Sequence, residues 1–258
     1  MKTARVVAAF VMASSLLLLA ACGDDDNCRP AATATPTSTT PTPTRTPDGE
    51  LDISICAPSA APFSTTIDNP FFPLPVGTKW VLEGEEEDDE GEIVEIRVEI
   101  TSLDEIEVVA SVTTRVVEER EWEDDELVEV SRNFFVQTSD GTVCYYGEDV
   151  DDYEDGEIVG HEGAWRAGID GALPGILIPG NPQVGQSFQQ EFAPGVAEDR
   201  AVQVAAGETV EVELGTFTDT IRYEESSPLD IGTSEKIYAR GIGLIVDDVI
   251  ERIADEMP

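Results

Sequence analysis

Hydrophobic and polar positions divide the chain into three regimes. Val6 to Ala20 is an unbroken run of apolar or small residues behind Lys2 and Arg5. A positive start and a short apolar core have the form of an export signal, too short for a spanning helix. Residues 29–50, RPAATATPTSTTPTPTRTPDGE, carry almost nothing to bury. Alternating Thr and Pro hold such a segment extended, so about 20 residues at roughly 3.1 Å each reach ~60 Å. The expected organisation is a signal over 1–21, a linker over 22–50 and a folded domain over 51–258.

Period two begins at Gly77. Trp80 and Leu82 share one face, and Val94, Ile96, Val98 and Ile100 alternate with Glu95, Arg97 and Glu99. That alternation predicts half-buried antiparallel strands. Further strands are expected over 105–121, 127–138, 142–147, 157–165, 187–192, 201–205, 209–214, 217–225, 235–240 and 243–250. Asp124-Asp125, Ser139-Asp140-Gly141 and Glu154-Asp155-Gly156 supply turn chemistry between them. The predicted fold class is all-β: an antiparallel meander of about ten strands, curled as a barrel, half-barrel or sandwich. Curling also removes the exposed edges that long strands would present.

Two stretches break the rhythm. Residues 69–75 hold three prolines, which argues against a regular element; Phe71 and Phe72 are expected to fix this entry loop onto the core. Residues 171–190 hold no charge in a chain that is 27% charged. Three prolines and four glycines exclude a spanning helix there.

Charge narrows the partners. The chain has 54 acidic and 15 basic residues, net −39. Loss of Lys2 and Arg5 with the signal leaves 13 against 54, or −41. Such a field repels nucleic acid and anionic lipid surfaces. Lysine occurs only at 2, 79 and 236, and an acid-rich, lysine-poor surface suits high salt.

The cysteines are Cys22, Cys28, Cys56 and Cys144. In an exported chain they are free to form disulfides. Cys56–Cys144 is the expected bond, since both border the folded domain, with Cys28–Cys56 as its rival. No close pair suggests a zinc site.

Leu19-Ala20-Ala21-Cys22 resembles the bacterial lipobox. That resemblance implies acylation of Cys22, cleavage before it, and attachment to a membrane by a lipid anchor. Two or three acyl chains hold stably, each buried methylene contributing about 0.8 kcal/mol. In Gram-negative relatives an Asp directly after the cysteine retains the protein at the inner membrane. Gly23 stands in that place here, which favours the outer membrane where there is one.

Asn69-Pro70-Phe71-Phe72-Pro73-Leu74, Gly77-Thr78-Lys79-Trp80, Gly215-Thr216-Phe217 and Tyr238-Ala239-Arg240-Gly241-Ile242-Gly243-Leu244 resemble a family of uncharacterised bacterial envelope proteins and lipoproteins. The likeness spans about residues 66–250. Glu213-Leu214 replace the family's usual Pro-Ala before the Gly-Thr-Phe hairpin. The resemblance implies a fold and a compartment, and no established activity.

Candidate chemistry is sparse. Asp151, Asp155, Gly156 and Glu162 match positions one, five, six and twelve of a calcium loop. Tyr153 fails at position three, so an acid-tipped hairpin is the favoured reading and no metal or other cofactor is expected. His161 is the single histidine, no Gly-x-Ser-x-Gly elbow occurs, and Gly241-Ile242-Gly243 lacks the third glycine of a phosphate loop. With 54 acids, a glycosidase-like carboxylate pair cannot be singled out. Ile176, Leu177 and Ile178, with Trp165 and Arg166 just before them, could line a ligand mouth; alternatively the loop covers an open end of the sheet. The expected role is non-enzymatic: binding a small apolar or amphipathic ligand or an envelope component. The alternatives are a structural or protein-interaction module, or a hydrolase with paired carboxylates.

Overall fold

The computed structural model describes residues 49–88 and 91–256. The signal, Cys22, Cys28 and the linker up to residue 48 lie outside them.

The entry segment forms two short 3-10 turns, Ile53–Cys56 and Pro58–Ala60, then a tight pair of two-residue strands, β1 (Asp68–Asn69) and β2 (Phe72–Pro73). The proline-rich stretch therefore does hold a minimal element, because Pro73 sits at its end. Then come β3 (Lys79–Glu87), β4 (Ile93–Val109), β5 (Val112–Glu123), β6 (Glu126–Gln137) and β7 (Val143–Glu154). Short strands β8 (Glu157–Gly160), β9 (Trp165–Arg166), β10 (Gly175–Ile178) and β11 (Ser187–Gln189) follow. The chain closes with β12 (Arg200–Ala206), β13 (Val210–Val212), β14 (Gly215–Phe217), β15 (Thr220–Ser226), β16 (Ser234–Ala239), β17 (Gly243–Asp247) and β18 (Ile250–Glu256).

The all-β expectation holds. One antiparallel sheet of fourteen strands runs in the order β10-β7-β6-β5-β4-β3-β18-β17-β16-β15-β12-β11, with β8 and β9 also on β7. It curls until its two ends meet without closing into a barrel: Leu173 bridges Phe192, and no continuous ladder joins β10 to β11. At that seam a Cβ on Gly175 would lie 1.9 Å from the Gln190 carbonyl oxygen, so only glycine fits.

Three expected strands each divide in two, the one expected over 142–147 runs on to Glu154, and the one expected over 187–192 ends at Gln189. The strand predicted over 105–121 is two strands, turned at Ala110-Ser111 with φ of 48° and 68°. Neither residue is a usual occupant of that conformation, so no turn chemistry marked it. The last predicted strand, 243–250, is also two, turned at Asp248 (φ 51°). Residues 157–165 give β8 and β9 separated by a turn.

A chain of ring contacts crosses the interior: Trp165, Tyr145, Phe135, Phe72, Tyr238, Tyr223 and Phe188, with centroids 4.8–6.3 Å apart. Phe72 is its central link, joining the β6–β7 side to the β15–β16 side. Phe71 lies under the Arg240 guanidinium at 4.4 Å, and Gly241 N–H donates to the Pro70 carbonyl at 2.6 Å. Asn69 is buried, donating to the Gly141 and Pro179 carbonyls and accepting from Phe71 N–H. The entry loop thus plugs one end of the curl, as its two phenylalanines suggested. Cys56 and Cys144 form a disulfide that fastens the first 3-10 turn to β7.

Candidate functional site: an acid layer inside the sheet

At the opposite end the interior is lined with carboxyl groups. Strand alternation puts Val117, Glu119 and Glu121 of β5 on the inward face, as it does Glu129, Ser131 and Asn133 of β6. The register sets Glu121, Glu129 and Asp152 directly abreast on β5, β6 and β7, and sets Asn133 beside Glu148. From the facing half come Glu225 of β15, Lys236 of β16 and Asp247 of β17, with Lys236 abreast of Asp247 and Tyr223. Glu191 and Asp199 enter from the segment between β11 and β12.

These nine acids are all buried, and Lys236 is the one basic side chain among them in the described residues. The other two buried cations serve elsewhere. Arg115 donates to the Thr65, Leu103 and Glu105 carbonyls, and Arg252 to Asp255 and the Ile242 and Leu244 carbonyls. Lys236 Nζ lies 3.3 Å from Asp247 and 3.5 Å from Glu225. Burial pulls its ammonium down, but Asp247 and Glu225 outweigh burial and hold it well above its usual range.

One lysine cannot neutralise nine carboxylates, and desolvation disfavours each charge. Burial pushes Glu119 up to about 8, Glu129 to about 9 and Glu148 to about 7. It also raises Asp199 and Asp247 to about 6, and raises Glu121 and Glu191 well above the usual range. Among the described residues, both carboxyl oxygens of Glu119 and of Glu121 have no hydrogen-bond partner, although these residues are 2% and 1% exposed. One oxygen each of Glu129, Asp152, Asp199 and Asp247, and the Tyr223 hydroxyl, are also unpartnered among the described residues.

A cavity of about 10 Å³ lies among Tyr145, Leu177, Gln190, Glu191, Asp199, Glu225 and Lys236. That is room for about one water. A second, of about 20 Å³, sits beneath residues 227–233 and shares Asp199 and Glu225 with the first. Gln190 donates to Glu225 at 2.7 Å across this region.

The residues singled out in the sequence are placed as follows. Ile176, Leu177 and Ile178 form β10 and are fully buried, with Leu177 touching the smaller cavity. Trp165 is buried against Tyr145, and its indole nitrogen has no partner among the described residues. Arg166 pairs with Asp149 and Glu107 and stacks over Phe134 at 4.7 Å. Asp155 and Gly156 make the two-residue turn between β7 and β8. Asp151 lies 3.0 Å from His161 Nδ1, and the Glu162 N–H donates to Asp152. Among the described residues no three His, Cys, Asp or Glu side chains are disposed to hold a metal ion.

The acid layer was not singled out in the sequence. Its one signal was Glu119 and Glu121 continuing the inward period of Val117; with Glu118 and Arg120 charged on the other face, charge does not distinguish inside from outside there.

No family model matches the chain, and no curated protein does. Among solved structures it is similar to a protein of Parabacteroides distasonis provisionally described as a lipoprotein. The two share 15% identity and a TM-score of 0.33, over 73% of this chain and 99% of that one.

Proposed function

We propose that the chain is an exported bacterial lipoprotein, anchored through Cys22, that acts by binding an envelope component at its surface rather than by catalysis. The observation that carries this reading is the tight packing around the acid layer, where neither cavity can hold a small organic ligand. Pockets for small apolar ligands are commonly about 300–1,000 Å³, against interior cavities of about 10 and 20 Å³ here. A carboxylate-based hydrolase would likewise need a cleft between its two acids. The Cys56–Cys144 disulfide accords with an oxidising compartment outside the cytoplasm. The Thr/Pro linker then acts as a stalk between membrane and domain, and the motifs at 69–74 and 238–244 meet as structural punctuation.

Palmitate labelling of the full-length protein in a bacterial host tests the anchor: the wild type takes up label and Cys22→Ser does not. Native mass spectrometry of the protein from the same envelope tests the mode of action. A clean protein mass is expected; a retained adduct of lipid mass would replace this reading with an apolar-ligand carrier.

A further inference from the structure

The acid layer poses a problem of charge that the binding role does not touch. Nine buried carboxyls surround one ammonium. Glu121, Glu129 and Asp152 stand abreast on hydrogen-bonded neighbouring strands, where like charges repel. Among the described residues no donor reaches an oxygen of Glu119 or Glu121, although both are almost wholly shielded from water. No three of these groups converge on a metal position. What remains to neutralise them is the proton.

We propose that this layer is a proton-held closure: Glu119, Glu121, Glu129, Glu148 and Glu191 keep their protons while the sheet is curled shut, and losing them drives apart β5, β6 and β7 from β15, β16 and β17 beneath residues 227–233. The groups facing one another are Glu119 and Glu121 from β5, Glu129 from β6, and Glu148 and Asp152 from β7. Across from them are Glu225 from β15, Lys236 from β16 and Asp247 from β17, with Glu191 and Asp199 from the intervening segment. Tyr145, Tyr223 and Tyr238 border them, and Glu123, Asp149 and Asp248 add negative charge from the rim. Only Lys236 opposes the repulsion, and it already has Asp247 and Glu225.

The sign follows from proton binding. An unfolded glutamate loses its proton near the ordinary 4.5, whereas Glu119 and Glu129 in the fold hold theirs to about 8 and 9. Between those limits the folded chain binds more protons, so stability falls as pH rises. Each retained proton changes the folding equilibrium about tenfold per pH unit.

The test is denaturant unfolding of the full-length protein from pH 5 to 9 at fixed ionic strength, together with infrared spectra of the folded protein. The folding equilibrium should fall at least tenfold per pH unit across pH 6–8. Glu129→Gln and Glu121→Gln should each flatten that fall, while Glu126→Gln at the exposed β5–β6 turn should leave it unchanged. The wild type should show the carbonyl band of a protonated carboxyl at pH 7, which needs no variant to fold. Constant stability over the range, a slope unchanged by Glu129→Gln, or absence of that band would each overturn the proposal.

Discussion

At the scale of single residues, Lys236 has the most demanding environment. Its side chain is 2% exposed and its ammonium is compensated by acids that are themselves buried. Burying an ion is unfavourable unless its partner is close, and removing one partner strands the other. Lys236→Met should therefore destabilise the domain by about 3–5 kcal/mol, read as a lower urea midpoint with an unchanged slope. An outcome near zero would mean that Asp247 and Glu225 simply take up protons when the lysine is gone. Lys236 was legible only as a rarity, one of three lysines; nothing in its neighbours marked it as interior. Cys56 and Cys144 were expected to pair as two cysteines bordering the folded region; the geometry joins them, although Cys144 lies within β7 and not at a border.

At the scale of elements, the seam between β10 and the segment after β11 decides whether the curl can shut. It depends on the missing side chain of Gly175, where the opposing atoms are backbone and cannot swing aside. Gly175→Ala should cost about 1–3 kcal/mol through overpacking. Amide exchange should rise first in 173–178 and 189–193, and uniform protection there would show that the seam relaxes around a methyl group. The alternating strands β3 and β4 were readable because apolar inward positions and charged outward ones differ in kind. The turn at Ala110-Ser111 was not, because its left-handed backbone is occupied by residues that normally avoid it. Nor was the acid layer: where both faces of β5 carry glutamate, a period of two leaves no contrast to read. The uncharged stretch 171–190 drew notice as a surface, yet its Ile-Leu-Ile lies inside the sheet.

At the scale of the whole molecule, charge dominates. The full chain carries −39, with carboxylates on the surface as well as within. Exposed like charges interact over a Debye length of about 10 Å at 0.1 M salt and about 3 Å at 1 M. The melting temperature should therefore rise between 0.05 M and 1 M sodium chloride at pH 7; a domain equally stable in both would show that self-repulsion is already offset by the fold. The disulfide has a separate, mechanical consequence. Any pull transmitted from the residues before Glu50 meets first the hydrogen bonds around Ser187, at Gly49 and Leu51. Once these yield, only the few residues up to Cys56 can peel away, roughly 25 Å of slack at about 3.5 Å per residue. Load then passes through sulfur into β7, which is paired with β6 along most of its length. A tension that would unravel an unbridged chain from its end is delivered instead to β7, one strand in from the β10 end of the sheet.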